Sequence, residues 1–163
     1  MNARDPALHD AVGACPLAAG LSPPQVDVLA GVVELHEFAG GDVLARQGAV
    51  DDRLVVVVDG TLDVIRHPDT PAETVLATLH AGDLAHELGF LDGTPRYATL
   101  VATSPTRVLM LHRARLEGLI EQQPRVVYAV MCSIVRAVHR LQTRLSMHAS
   151  ELTNYIVKQH GRY

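Results

Sequence analysis

Apolar residues change their period twice along this chain. Between residues 7 and 35 they recur at helical spacing. Ser22 can cap a helix whose first turn tolerates Pro23 and Pro24, and Val26, Leu29, Val32 and Val33 then share a face. The pattern predicts that this helix stops near Glu34. From there to about residue 112, short β-rich runs are split by Gly and Asp. The clearest is Val55-Val56-Val57-Val58, followed by Asp59-Gly60 and then Thr61-Leu62-Asp63-Val64-Ile65, where the Asp-Gly pair predicts a two-residue hairpin turn. Further punctuation falls at Gly40-Gly41-Asp42, Gln47-Gly48, Gly82-Asp83 and Asp92-Gly93-Thr94-Pro95. Strands expected at 73–79, 97–103 and 106–112 complete a set of seven or eight. Such spacing predicts a mainly β jelly-roll or barrel rather than a parallel sheet with crossover helices.

The helical period returns after Arg113. Leu116, Leu119 and Ile120 form a short amphipathic stretch, and Pro124 opens a helix expected to run to about Met147. On it Val127, Val130, Met131, Ile134, Val138, Leu141 and Leu145 form one apolar stripe. The stripe can pack on the barrel of its own chain or form a seam between two chains, and the length of the helix favours the seam. The chain thus divides into an N-terminal helical segment (1–22), a barrel with flanking helices (23–123), a long dimerisation or lid helix (124–147) and a tail (148–163).

Composition narrows the function classes. The chain has 163 residues, enough for one core without metal or disulfide staples, and 48% of them are apolar. With no Trp and six Phe and Tyr together, aliphatic packing must supply most of the stability. Fourteen basic against 18 acidic residues give a net charge of −4, which argues against nucleic acid as the main partner. Cys15 and Cys132 are too few for a disulfide framework, a zinc site or an iron–sulfur cluster. None of the nine histidines pairs at the i, i+4 spacing of a zinc motif, so neither a metal nor catalysis is expected. Residues 1–20 lack a signal-peptide pattern, and no window approaches the roughly 20 apolar residues of a membrane span; a cytoplasmic protein without membrane contact is expected.

The stretch from Gly82 to Thr99, reading GDLAHELGFLDGTPRYAT, carries the candidate chemistry. An anion held there needs an opposite charge and directional donors, which an Arg fork and the backbone N–H groups of a short helical turn supply; Arg96 is the fork, with Tyr97 beside it. A sugar hydroxyl needs an acceptor, which Glu87 can provide, flanked by His86 and Leu88. Gly89 and Gly93 are expected to let the backbone turn tightly, and Thr94-Pro95 to stiffen the approach to Arg96.

This stretch resembles the phosphate-binding cassette of cyclic-nucleotide-binding domains, the family of the catabolite activator protein, the regulatory subunits of cyclic-AMP-dependent kinase, and cyclic-nucleotide-gated channels. The resemblance extends to Pro16-Leu17 with Gly20-Leu21-Ser22, to Phe38 with Gly41-Asp42, Gln47-Gly48, Asp52-Arg53-Leu54 and Gly60, and to Leu119-Ile120 before Pro124, covering roughly residues 14–145. It implies a double-stranded β-helix barrel with an N-terminal helix and a long C-terminal helix. It also implies a cyclic nucleotide as ligand, cyclic AMP before cyclic GMP. Glu87 would then hold the ribose and Arg96 the phosphate, and the purine would meet the last helix at Leu141, Gln142 and Thr143, with Gln142 reading the base edge.

The chain departs from the family at both anchors: His86 stands where Gly usually precedes the Glu, and Tyr97 where a small residue follows the Arg. Several readings therefore stay open. The chain is a stand-alone regulatory sensor in which a hinge at 113–124 lets the long helix cover the base; or it is a ligand-free dimeric scaffold whose Glu87 and Arg96 pair with each other across the loop. A remoter reading makes His86 an axial ligand in a haem sensor, since a few relatives of this fold bind haem near the cassette. About sixteen residues after Met147 are too few for a helix-turn-helix module, so no DNA binding is expected. Signalling would pass through a protein partner or a homodimer built on residues 124–147.

Overall fold

The computed structural model describes residues 5–140 and Thr143. Its helices are α1 (Pro6–Ala14), α2 (Pro23–Ala30), α3 (Glu87–Asp92), α4 (Arg113–Glu117) and α5, which occupies 124–140 of the described residues. A short 3₁₀ turn, Pro16–Ala18, links the first two. The strands are β1 (Val33–Phe38), β2 (Val43–Ala45), β3 (Arg53–Asp59), β4 (Leu62–Arg66), β5 (Thr74–Leu79), β6 (Leu84–Ala85), β7 (Thr99–Ala102) and β8 (Thr106–His112). They form two antiparallel four-stranded sheets, ordered β1-β8-β3-β6 and β2-β7-β4-β5.

Two corrections to the expected elements have local causes. The helix predicted to reach Glu34 ends at Ala30, and Val33 already pairs with Leu111 in a strand. Gly31 breaks the helix and the β-branched pair Val32-Val33 favours extended backbone, which outweighs their helical spacing. The second correction concerns Asp59-Gly60. β3 pairs with β6 and β8 while β4 pairs with β5 and β7, so the Asp-Gly pair makes a corner between sheets instead of a hairpin. Gly60 has φ +81°, and a Cβ there would stand 2.4 Å from the carbonyl oxygen of Pro105. The signal for positive φ was right; it carries no information on which strand comes next.

The uninterrupted valines of β3 follow from its place between two cores. Leu54 and Val56 join Leu84, Leu109 and Leu111 against the helices, while Val55 and Val57 join Val64, Leu100, Val108 and Met110 inside the barrel. A strand covered on both faces has no reason to alternate. Helix α5 packs into the first core through Val126, Val130, Ile134 and Ala137, beside Leu8, Val12, Leu17 and Phe90. Buried Ser133 donates a hydrogen bond to the Pro16 carbonyl at 2.7 Å. Of the expected stripe, Val127, Val130, Met131 and Ile134 thus pack on their own chain, with Val126 and Ala137 added, while Leu141 and Leu145 lie outside the described residues. Tyr128 and Val135, 72% and 63% exposed, lie on the opposite side.

Candidate ligand-binding site

The open end of the barrel forms a cleft. Its apolar wall comes from Val64, Ala77, Leu79, Ala85, Ala98 and Leu100, its polar rim from Asp83, Glu87, Arg96 and Tyr97, and α5 closes one side with Ala137 and Arg140. His86, Glu87, Arg96 and Tyr97 therefore converge on one concavity. The strands supply the floor and the β6–β7 connection supplies the charge.

Arg96 is only 3% exposed and is held on every side but one. Its backbone N–H donates to Ala49 and its carbonyl accepts from Gly48, so its Cα is tied to the loop after β2. Nε and Nη2 both donate to Oδ2 of Asp51, at 3.1 and 3.0 Å, and Nη2 also donates to the Arg53 carbonyl at 3.2 Å. Nη1 makes no hydrogen bond among the described residues, and Arg96 is one of the residues that line the cleft. An arginine fixed through Nε and Nη2 at the edge of a cleft, with a donor nitrogen to spare, is arranged for an anion.

Asp51, with its side chain 8% exposed, is the residue that sequence reasoning missed. Burial pushes its carboxyl up, but hydrogen bonds from the Arg53 side chain and backbone, with the charge of Arg96, hold it far below the usual carboxylate range. This pairing overturns the expectation that Glu87 and Arg96 bind each other: the counter-ion of Arg96 comes from a loop 45 residues earlier. Only an acidic residue near Arg53 hinted at it, and Asp51 and Asp52 offered that hint equally.

Glu87 opens α3 and forms no ion pair within 4.0 Å among the described residues. Burial pushes its carboxyl up; the neighbouring Asp83 adds to this and the Arg140 guanidinium opposes it. Tyr97 stands 61% exposed at the rim, where partial burial and the Glu87 carboxylate push its phenol up. The phenol therefore does not fill the cleft. Leu88 is exposed and is not among the lining residues. Thr143 is exposed and its hydroxyl donates to the His139 carbonyl of its own helix, while Leu141 and Gln142 lie outside the described residues.

His86 sits in the left-handed region, φ 67° and ψ 31°, at the N-cap of α3. For a residue with a Cβ this costs about 1–2 kcal/mol. Its buried ring donates from Nε2 to the Asp51 carbonyl at 2.9 Å and lies on Gly89, where a Cβ would come within 2.1 Å of Cε1. Gly89 has no positive φ. Its smallness seats the imidazole instead of turning the chain, whereas Gly93, φ +75°, does end α3. The haem reading does not fit this ring, because Nε2 is spent on the Asp51 carbonyl and the ring is seated against Gly89. Nor do three His, Cys, Asp or Glu side chains gather in a metal-holding cluster among the described residues.

Comparison with known proteins places the chain in a class. The profile of the cyclic nucleotide-binding domain matches residues 35–123, and the chain belongs to that family. It is 28% identical over 136 residues to the cyclic AMP receptor protein of Thermus thermophilus, covering 83% of this chain and 63% of that protein. It is 30% identical over 105 residues to a cAMP-dependent protein kinase regulatory subunit of Blastocladiella emersonii, covering 64% of this chain and 26% of the subunit. Among solved structures, a cyclic nucleotide-binding domain from Methylobacillus flagellatus superposes with a TM-score of 0.73, at 22% identity over 91% of this chain and 82% of that one. The Thermus thermophilus catabolite activator protein superposes at 0.66, with 28% identity over 82% and 63% of the two chains. No helix among the described residues is long and apolar enough to cross a membrane.

Proposed function

We propose that this chain is a non-catalytic sensor module that binds a cyclic nucleotide, cyclic AMP by preference, and passes the event to a partner through α5. The observation that carries the reading is the Arg96 fork, gripped by Asp51 at a cleft with an apolar wall, its Nη1 making no hydrogen bond among the described residues. The phosphodiester sits on Arg96, with the Tyr97 hydroxyl in reach at the rim. The ribose hydroxyl is accepted by Glu87. The purine lies along the apolar wall beneath α5, towards Leu141, Gln142 and Thr143. Two of the relatives described above carry cyclic AMP in their names, which supports the adenine preference.

Ligand acts by favouring one position of α5 over another, which demands different affinities for the two. The exposed Tyr128 and Val135, seven residues apart, offer a strip for a second copy, so the receiving partner is first of all another molecule of this chain.

A thermal-shift titration tests the site. Cyclic AMP at 100 times its dissociation constant stabilises the fold by about 2.7 kcal/mol. Arg96→Ala would strip Asp51 of a buried counter-charge and cost stability without ligand, so Arg96→Lys is the cleaner variant. It keeps a cation near Asp51 but loses the fork, and affinity falls roughly tenfold to a hundredfold. Absence of any shift with cyclic AMP or cyclic GMP overturns the sensing reading.

A further inference from the structure

Among the polar side chains at the cleft, His86 turns its ring donor to the protein itself. The imidazole bridges two separate pieces of chain. Its backbone begins α3, and its Nε2 donates across to the Asp51 carbonyl, 35 residues earlier. The acceptor is a carbonyl, so the hydrogen is on Nε2. The same Asp51 grips the Arg53 and Arg96 guanidinium groups through its carboxylate, whose Oδ1 also accepts the Arg53 backbone N–H, at the start of β3, at 2.9 Å. The chain of contacts thus runs from imidazole to loop backbone, to carboxylate, to the guanidinium at the edge of the cleft. The ring also has a fitted seat, because Gly89 leaves room that any Cβ would close. The strained left-handed backbone at His86 persists with these contacts around it.

We propose that His86 is a positioning residue: a wedge between α3 and the Asp51 loop that keeps the Arg96 fork in its anion-ready orientation before ligand arrives. It touches no ligand atom in this scheme; it acts through Asp51. The proposal rests on the cyclic-nucleotide reading for its effect on affinity, but its effect on Arg96 is independent of any ligand.

The test has one arm for each. In ¹⁵N-labelled protein without ligand, the Arg96 Nε–H gives a resolved, slowly exchanging NMR resonance in the wild type. His86→Gly accelerates that exchange at least tenfold, and His86→Gln, whose amide donates at similar reach, restores protection. Gly89→Ala provides a second route, since it evicts the ring without altering it and gives the same loss. In the binding arm, cyclic AMP affinity falls about tenfold in His86→Gly and Gly89→Ala, the worth of about one hydrogen bond, and recovers in His86→Gln. Unchanged Arg96 exchange in His86→Gly, or equal or tighter binding by it, overturns the proposal. If the wild type binds neither cyclic AMP nor cyclic GMP while Arg96 exchange follows the pattern above, the sensing reading fails and the positioning role stands.

Discussion

At the scale of single residues, the site shifts two carboxyl groups in opposite directions. Asp51 is held ionised by two guanidinium groups, while burial favours the proton on Glu87. If Glu87 accepts the sugar hydroxyl as a carboxylate, cyclic AMP affinity weakens as pH falls towards its raised value, beginning above the ordinary 4.5. Without ligand the sign reverses. The folded state holds that proton more tightly than the unfolded chain, so the contribution to stability falls as pH rises from 4.5 through the folded value. Glu87→Gln flattens both dependences, measurable by binding titrations and urea unfolding between pH 4.5 and 8. The sequence made Glu87, Arg96 and Tyr97 legible because they share one short stretch. Asp51 and Arg140 were not, because their proximity is created by the barrel and by α5.

At the scale of elements, turn chemistry and period reported different things. Asp59-Gly60 announced a positive φ, which Gly60 has, yet the strand that follows joins the other sheet. Gly60→Ala places a methyl against Pro105 and Thr106 in a conformation that resists it, at a cost of about 2–4 kcal/mol in urea denaturation. Ala at Gly48, also at positive φ but with nothing within 4 Å, costs only the backbone part, about 1–2 kcal/mol. The strands near 73–79, 97–103 and 106–112 were legible from their β-rich runs. Their partners were not, since β8 lies between β1 and β3, both distant in sequence.

At the scale of the whole molecule, the apolar stripe of the last helix was legible but its owner was not. Val126, Val130 and Ile134 belong to the chain's own core, which leaves Tyr128 and Val135 for any second copy. If the chain dimerises through this face, Tyr128→Glu with Val135→Glu shifts sedimentation from dimer to monomer with little change in the melting of the isolated subunit, as both side chains are already wet. A wild type that sediments as a monomer at tens of micromolar rules the interface out. The hydrogen bond from Ser133 to Pro16 carries a mechanical corollary. If α5 swings about residues 113–124 on binding, this bond and the shared core pull the 3₁₀ turn between α1 and α2 along with it. A fluorophore attached near Asp10 on α1, far along the chain from Arg96, would then register occupancy of the cleft.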